Sequence, residues 1–285
     1  MSDFPQFEMN PDDYEHQSDV VDGMHTGLWC PKSRPEWFPS VSNEIKVMDT
    51  VTANRLIESP ERTSARQRFP AEQWIMNQGR RGSCTGFGTA GVLSRARVMS
   101  GLEFLLLSGE WIYSLINGGR DAGSPLEWAW KKIQEVGAAR RSLVQPESYL
   151  YRSMSPEARA DAANHKAFEC FRIDSEMEMV SAILLNMLVV ACVHVGGRYR
   201  SLDARGVRGA SQGRGNHCIG VQDVRIGPDG EYEFDEIGSW GRQNGQNGYA
   251  WLTWKGHFRS TVERHAFYAI PCVSGNWKQV FKGAK

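Results

Sequence analysis

The two parts of this chain carry different hydrophobic periods, and no feature constrains its fold more. From about residue 50 to residue 187 apolar residues recur at helical spacing behind capping residues, whereas from Leu188 onward they gather into short β-branched and aromatic runs. The helical part opens with one helix near residues 50–58. After Cys84, the stretch TGFGTAGVLSRARVMSG reads as a buried helix whose glycines lower its propensity and signal close packing. Ser108 caps a helix carrying Trp111, Ile112, Leu115 and Ile116 that stops at Asn117-Gly118-Gly119. Ser124 as cap, Pro125 in the first turn, Glu127 closing a capping box and Gly137 past the end mark the next helix. Ser155-Pro156-Glu157 starts a short helix, and Ser175 with Glu178 repeats the capping box.

Strand candidates then follow: LVVACVHV from Leu188, HCIGVQDVRI from His217, EYEFDEIGSW from Glu231, YAWLTW from Tyr249 and HAFYAIPC from His265, with GPDG as a tight turn. Such segregation predicts an α+β fold, a helical half packed against an antiparallel β-sheet or barrel half with a cleft between them. The first 70 residues lack a sustained period and read as an extended arm with short strands or turns.

A chain of 285 residues buries a core without staples, and 33 Lys plus Arg against 33 Asp plus Glu excludes a polycationic wrapper of nucleic acid. The segment MSDFPQFEMNPDDYEH lacks the basic and apolar parts of a signal peptide, and no run of 18 apolar residues occurs. These features predict a cytoplasmic protein with no membrane partner. Cysteines at 30, 84, 170, 192, 218 and 272 form no CxxC pair, so free thiols in a reducing compartment are expected, with no metal and no cofactor. Charge is nevertheless uneven. Residues 1–31 hold seven acidic residues and no Lys or Arg, while residues 196–216 hold five arginines against Asp203. Opposite charge alone specifies no contact, and the near absence of interleaved aromatics argues against nucleic acid.

Chemistry concentrates at three residues. In NQGRRGSCTGFGTAG a glycine-bearing turn delivers Cys84 to a helix start, whose N–H groups and dipole favour thiolate. Gln78, six residues upstream, can curl back so that its amide and the Cys84 N–H face an oxyanion. A cysteine at a helix start is more often a small buried hydrophobe, so this pair is a weak signal alone. His217 is the best base, since it heads an apolar strand directly after a polar loop and is expected on a rim. His194 reads as structural, and the remaining histidines lack a partner pattern.

In chain order, Asn77-Gln78-Gly79, Gly82-Ser83-Cys84, Asn117-Gly118-Gly119, Asn216-His217, Ser239-Trp240-Gly241 and Asn247-Gly248-Tyr249 resemble the papain-like cysteine peptidases. His217 follows Cys84 by 133 residues, inside the family's usual separation of about 130–150. The resemblance runs from Phe69 to about Ile270. It implies Cys84 as nucleophile, His217 as base, Gln78 as oxyanion donor, Gly118 and Gly119 as a strip binding an extended backbone, and Trp240 as the indole shielding the imidazole. A polypeptide substrate follows, and the domain layout becomes a papain-like domain at 69–285 behind an N-terminal extension at 1–68.

Departures from the family's pattern are informative too. Gly238 stands where the family's orienting Asn precedes Ser-Trp-Gly, and glycine accepts no side-chain hydrogen bond. Glu236 shares its face by period-two alternation and reaches the imidazole only if the strand bulges or its pairing is shifted; a water is the simpler substitute. Arg81 and Ile116 occupy the places of a disulfide pair, and Thr85 replaces an aromatic residue, which resembles the microbial and viral branch and an intracellular or intravirion site. Two functions follow: thiol-dependent hydrolysis of peptide or isopeptide bonds in an extended polypeptide, or a catalytically weak or inactive structural component of a viral or other assembly. The extension has two uses of equal standing. It lies across the cleft, its acidic part against the arginine-rich loop, or it docks other proteins of an assembly through Trp29, Trp37 and Phe38.

Overall fold

The computed structural model describes residues 9–271 other than 17, 18, 22 and 168; the cysteine expected as a free thiol at position 272 lies outside them. Near the start the chain forms two short strand pairs. Strand β1 (Tyr14–Glu15) pairs with β4 (Cys30–Pro31), and β2 (Val20–Val21) with β3 (Met24–His25). Helix α1 (Thr50–Ile57) starts where Asp49 accepts the Thr52 N–H. Two short helices, α2 (Ala65–Arg68) and α3 (Ala71–Trp74), lead to the helical lobe. Two arginines and a backbone amide tie this stretch to the sheet: Arg62 and the Ala65 N–H bind Asp223, and Arg66 pairs with the buried Asp235 at 2.6 Å.

The helical lobe contains α4 (Cys84–Met99), α5 (Gly109–Ile116), α6 (Leu126–Glu135), α7 (Pro156–Ala162) and α8 (Glu176–Leu184). Strand β5 (Phe171–Ile173) falls between the last two and is too short to show a period in the sequence. Helix α4 is buried around its circumference through Arg97, and small residues are what make that fit. A Cβ on Gly86 would stand 2.3 Å from the Gly109 carbonyl oxygen, and one on Gly88 would stand 3.1 Å from the sulfur of Cys218 in the sheet. Close approach therefore sets Cys84, the first residue of α4, against the strand that begins at His217.

Strands β6 (Leu188–Val193), β7 (His217–Ile226), β8 (Tyr232–Ile237), β9 (Tyr249–Thr253) and β10 (Phe267–Ile270) form one antiparallel sheet in the order β5-β10-β6-β7-β8-β9. Helix α9 (Arg259–Val262) packs near its β6 side. The α+β reading is correct, as are the caps at Ser108, Ser155 and Ser175.

Two sequence expectations need correction. Ser124 does not cap α6: Pro125 holds that position, the Ser124 hydroxyl is buried without a partner, and its backbone is engaged elsewhere. Trp29 and Phe38 are not exposed either; both are buried and Trp37 is half-buried, so these rings serve the core of this chain.

The Glu127 carboxyl, freed from the expected capping box, is buried and takes the hydroxyls of Tyr14 and Tyr268, each at 3.4 Å. Burial pushes its pKa up to about 7. Because this lies above the unfolded value of about 4.3, the fold favours the protonated acid, and the contribution is complete below that pH and lost as pH rises through about 7. Thermal midpoints of the wild type are expected to fall more steeply between about pH 4 and 7 than those of Glu127→Gln. Equal slopes would place the ionisation elsewhere.

Candidate active site

Helix α4, which begins at Cys84, packs against strand β7, which begins at His217. The sulfur of Cys84 is faced by the backbone N–H of Cys218, the residue after His217, and by that of Gly27. Cys84 and His217 are both 0% exposed, which corrects the expectation of a rim position for the histidine. The expected thiolate is also absent: desolvation outweighs the N–H groups around the sulfur and pushes the thiol up to about 11. Burial and the positive charge of Arg208 hold His217 well below its ordinary value, so the pair is a neutral thiol and a neutral imidazole. Neither imidazole nitrogen has a hydrogen-bond partner among the described residues.

The Trp240 indole and the Gln78 carboxamide are both held by close contacts. The indole stacks on the imidazole with centroids 3.9 Å apart and planes 15° from parallel. The Gln78 carboxamide is locked at both ends. Its Oε1 accepts from Ser239 Oγ at 2.6 Å, and its Nε2 donates to the Arg81 carbonyl at 2.8 Å and to the His25 carbonyl at 3.0 Å.

His25 belongs to the N-terminal segment, which continues past the cysteine. Its carbonyl also accepts from Trp240 Nε1 at 3.2 Å. The Gly27 carbonyl accepts from the Ser124 N–H at 2.8 Å, the Leu28 N–H donates to the Asn216 carbonyl at 3.1 Å, and the Trp29 N–H donates to the Ser124 carbonyl at 3.2 Å. The passage is narrow. A Cβ on Gly27 would stand 2.1 Å from the Gly82 oxygen, and one on Gly123 would stand 2.1 Å from the Gly27 oxygen. Upstream, Glu15 pairs with Arg214 of the arginine-rich loop.

Gly118 and Gly119 stand open: a Cβ on either would meet nothing within 4 Å. They form an exposed turn after α5 with positive φ, tied by the Asn117 side chain to the Gly119 N–H. The backbone that pairs with an extended chain is Gly123–Ser124, which sequence reasoning assigned to a helix cap. A signal was available: a glycine directly before Ser-Pro, too close to the cap to be spacer alone. Thr85, in the place of an aromatic residue, donates to the Ser124 carbonyl at 3.1 Å and helps fix this strip.

Glu236 makes no hydrogen bond to the imidazole. Its carboxylate binds Arg208 Nε at 2.5 Å and the Tyr199 hydroxyl at 3.1 Å. Glu236 does share the face of Gly238, since its Oε1 stands 3.7 Å from where a Cβ on Gly238 would be. The β7–β8 register shift falls between Val221 and Asp223, beyond the Val221↔Glu236 pair, and the carboxylate is turned to Arg208. Gly238 has no room for a side chain, because its Cβ would stand 2.8 Å from the Gly248 oxygen that accepts the Gly238 N–H.

A cysteine at a helix start, a histidine heading a strand and an indole stacked on its imidazole occur in one fold, and residues 59–270 match the family described as papain family cysteine protease. The chain belongs to the papain family of cysteine proteases. Papain-family membership supports thiol-hydrolase chemistry in general. Solved structures agree on the fold. The chain is similar to xylellain, a cysteine protease from Xylella fastidiosa, at 18% identity and TM-score 0.57, over 70% of this chain and 83% of that one. It is similar to the Amb a 11 cysteine protease of ragweed pollen in its proform, at 17% identity and TM-score 0.58, over 70% and 61%. Digestive procathepsin L 3 of Tenebrio molitor larval midgut matches at 15% and TM-score 0.56, over 78% and 77%. No curated protein matches the chain. The papain-family fold here does without disulfides among the described residues, where Cys30, Cys84, Cys170, Cys192 and Cys218 are free thiols. At the position that resembles a disulfide cysteine, Arg81 instead pairs with Asp121 at 3.2 Å and covers the Tyr149 ring. No described helix is long and apolar enough to cross a membrane.

Proposed function

We propose that this chain hydrolyses peptide or isopeptide bonds in extended polypeptides through Cys84, and that its residues 1–68 are an extension whose segment around Gly27 holds the cleft closed. The observation that carries the reading is the extended main chain of residues 25–29, gripped beside Cys84 by Gln78, Ser124 and Asn216. A site that satisfies the N–H and C=O groups of an extended chain is suited to a polypeptide substrate. Residues 69–285 are the papain-like domain in this reading, although the family match begins ten residues earlier, at 59.

Once the extension withdraws, water and substrate reach the pair. His217 takes the Cys84 proton as the sulfur attacks the carbonyl carbon, and the oxyanion is held by Gln78 Nε2 and the Cys84 N–H. The imidazolium then returns its proton to the leaving amine as the C–N bond breaks. Water, deprotonated by His217, hydrolyses the thioester and restores the thiol. The extension itself escapes attack because Gly27 presents its N–H to the sulfur while its carbonyl is bound by Ser124. Gly238 in place of an orienting Asn is compatible with this cycle if the imidazole is positioned by other contacts. The free thiols support an origin in a branch of the family that dispenses with disulfides, microbial or viral in this reading, working inside a cell or virion.

The second reading, a papain-like structural component of a viral or other assembly with little or no turnover, is favoured by one observation: both nitrogens of the buried His217 lack partners. An electrophilic peptide probe separates the two. In the enzyme it is expected to label Cys84 alone among the thiols, with peptide-library cleavage that disappears in Cys84→Ala. Intact assembly and no wild-type cleavage would establish the structural role instead.

A further inference from the structure

We infer that Tyr199, Arg208 and Glu236 form a positioning device for His217, acting through the stacked face of Trp240 in place of a hydrogen-bonding side chain at residue 238. The inference rests on the reading of His217 as the base. With both ring nitrogens unpartnered, the imidazole is oriented by stacking, so whatever fixes Trp240 fixes the base.

Three contacts fix the indole. Its face lies on His217, its Nε1 donates to the His25 carbonyl, and its ring meets Tyr199 at 88° with centroids 6.4 Å apart. The second contact leaves with the extension, so in the open enzyme Tyr199 carries more of the task. That ring is held with unusual thoroughness. Its hydroxyl donates to Glu236 Oε1 at 3.1 Å, its carbonyl accepts from Arg208 Nη1 at 3.2 Å, and the guanidinium lies 4.6 Å over its centroid. Arg208 in turn donates through Nε to Glu236 Oε2 at 2.5 Å and through Nη2 to Asn244 Oδ1 at 2.9 Å. Tyr199, Arg208 and Glu236 are all buried.

Burying an ion pair costs desolvation that its attraction does not always return, and an apolar pair often serves stability as well. A role at the neighbouring base accounts for one here. Glu236 Oε1 also approaches within 3.7 Å of the place where a Cβ at Gly238 would stand, so the device fills the space from which a side chain at 238 would orient the ring. The Trp240 indole lies on the imidazole, and Arg208, paired with Glu236 on β8, is the charge that acts on it. The carboxylate is engaged by Arg208 and Tyr199, and the Arg208 charge together with burial keeps His217 neutral.

The test uses the full chain, with histidine-selective NMR as a readout independent of turnover and iodoacetamide alkylation of Cys84 as a second. Tyr199→Leu removes the ring edge, and Tyr199→Phe keeps the ring and loses only the hydroxyl. Tyr199→Leu is expected to lose the ring-current displacement of the His217 resonance and to slow alkylation about tenfold, with Tyr199→Phe within about twofold of wild type. The double variant Arg208→Met/Glu236→Leu keeps an apolar filling and is expected to move the His217 titration upward, because the cation opposing the imidazolium is gone. A ring-current shift and titration unchanged in Tyr199→Leu would overturn the inference. Should that variant not fold, an unchanged titration in the double variant would overturn it equally. A wild type that cleaves nothing while His217 responds as described refutes the proposed hydrolysis and leaves the positioning intact; cleavage with an unresponsive His217 does the reverse.

Discussion

Replacing Gly27 by alanine is expected to raise the alkylation rate of Cys84, and peptide hydrolysis with it, roughly ten- to hundredfold. The added methyl would stand 2.1 Å from the Gly82 oxygen, 2.5 Å from its carbonyl carbon and 2.6 Å from its Cα, all backbone atoms that no rotamer change can move aside. Overpacking of this kind costs about 1–3 kcal/mol, and since only the closed state suffers it, the open population rises by the corresponding factor. Catalytic groups are untouched, so the gain should appear in the number of reactive sites and leave KM for a small peptide unchanged. Iodoacetamide kinetics on the intact protein measure it directly. A rate equal to wild type would mean that the segment does not limit access to the sulfur.

Salt should do much less than that methyl group. The charge split between the acidic start and the arginine-rich loop is realised as the Glu15–Arg214 pair, but these side chains are 41% and 38% exposed. A pair so solvated contributes at most about 1 kcal/mol and is screened further by salt. Closure is instead carried by the backbone pairing of residues 25–29, by Gly27 lying between Gly82 and Gly123, and by Trp29, which donates through Nε1 to the Ala122 carbonyl at 2.6 Å and packs edge-on against Trp128. Sequence reasoning saw the charges because charge is legible residue by residue. Main-chain pairing is not, since any residue can supply it.

The same distinction explains what else was legible. Helix starts at Ser108, Ser155 and Ser175 were readable because a cap is a local bond between a side chain and an N–H three residues on. Ser124 carried the same local code and failed: the Gly27 carbonyl and Trp29 N–H, almost a hundred residues upstream, engage its backbone instead. Order and spacing, which a family preserves, single out Cys84 and His217 in the sequence, but their protonation states are not legible that way. A helix start favours thiolate only while water reaches the sulfur, and the segment around Gly27 that lies beside it has no motif of its own. Glu236 was correctly placed on the face of Gly238, yet its partner Arg208 comes from a loop where arginines at five positions look equivalent in sequence. Burial singles out Arg208, and burial is a property of the whole fold.

Gln78→Ala is expected to lower kcat by roughly 10²–10³-fold with KM nearly unchanged, the effect of removing a preorganised oxyanion donor. Preorganisation is visible in the closed form. Ser239 Oγ holds Oε1 at 2.6 Å and the Arg81 carbonyl takes one amide hydrogen at 2.8 Å, so the carboxamide cannot flip and its other hydrogen points at a single acceptor. That acceptor is now the His25 carbonyl at 3.0 Å. In the proposed cycle the same hydrogen would meet the substrate oxygen without reorganising once the extension leaves, and its attraction would grow as negative charge develops there. The measurement belongs in the Gly27→Ala background, where loss of the Gln78–His25 bond cannot be mistaken for easier opening. In the wild-type background the two consequences oppose each other: Gln78→Ala loosens closure, which raises alkylation of Cys84, while it slows hydrolysis. Alkylation and hydrolysis moving in opposite directions is therefore the signature of an oxyanion donor that also clamps the extension. Equal losses in kcat and in binding would instead make Gln78 a ground-state contact.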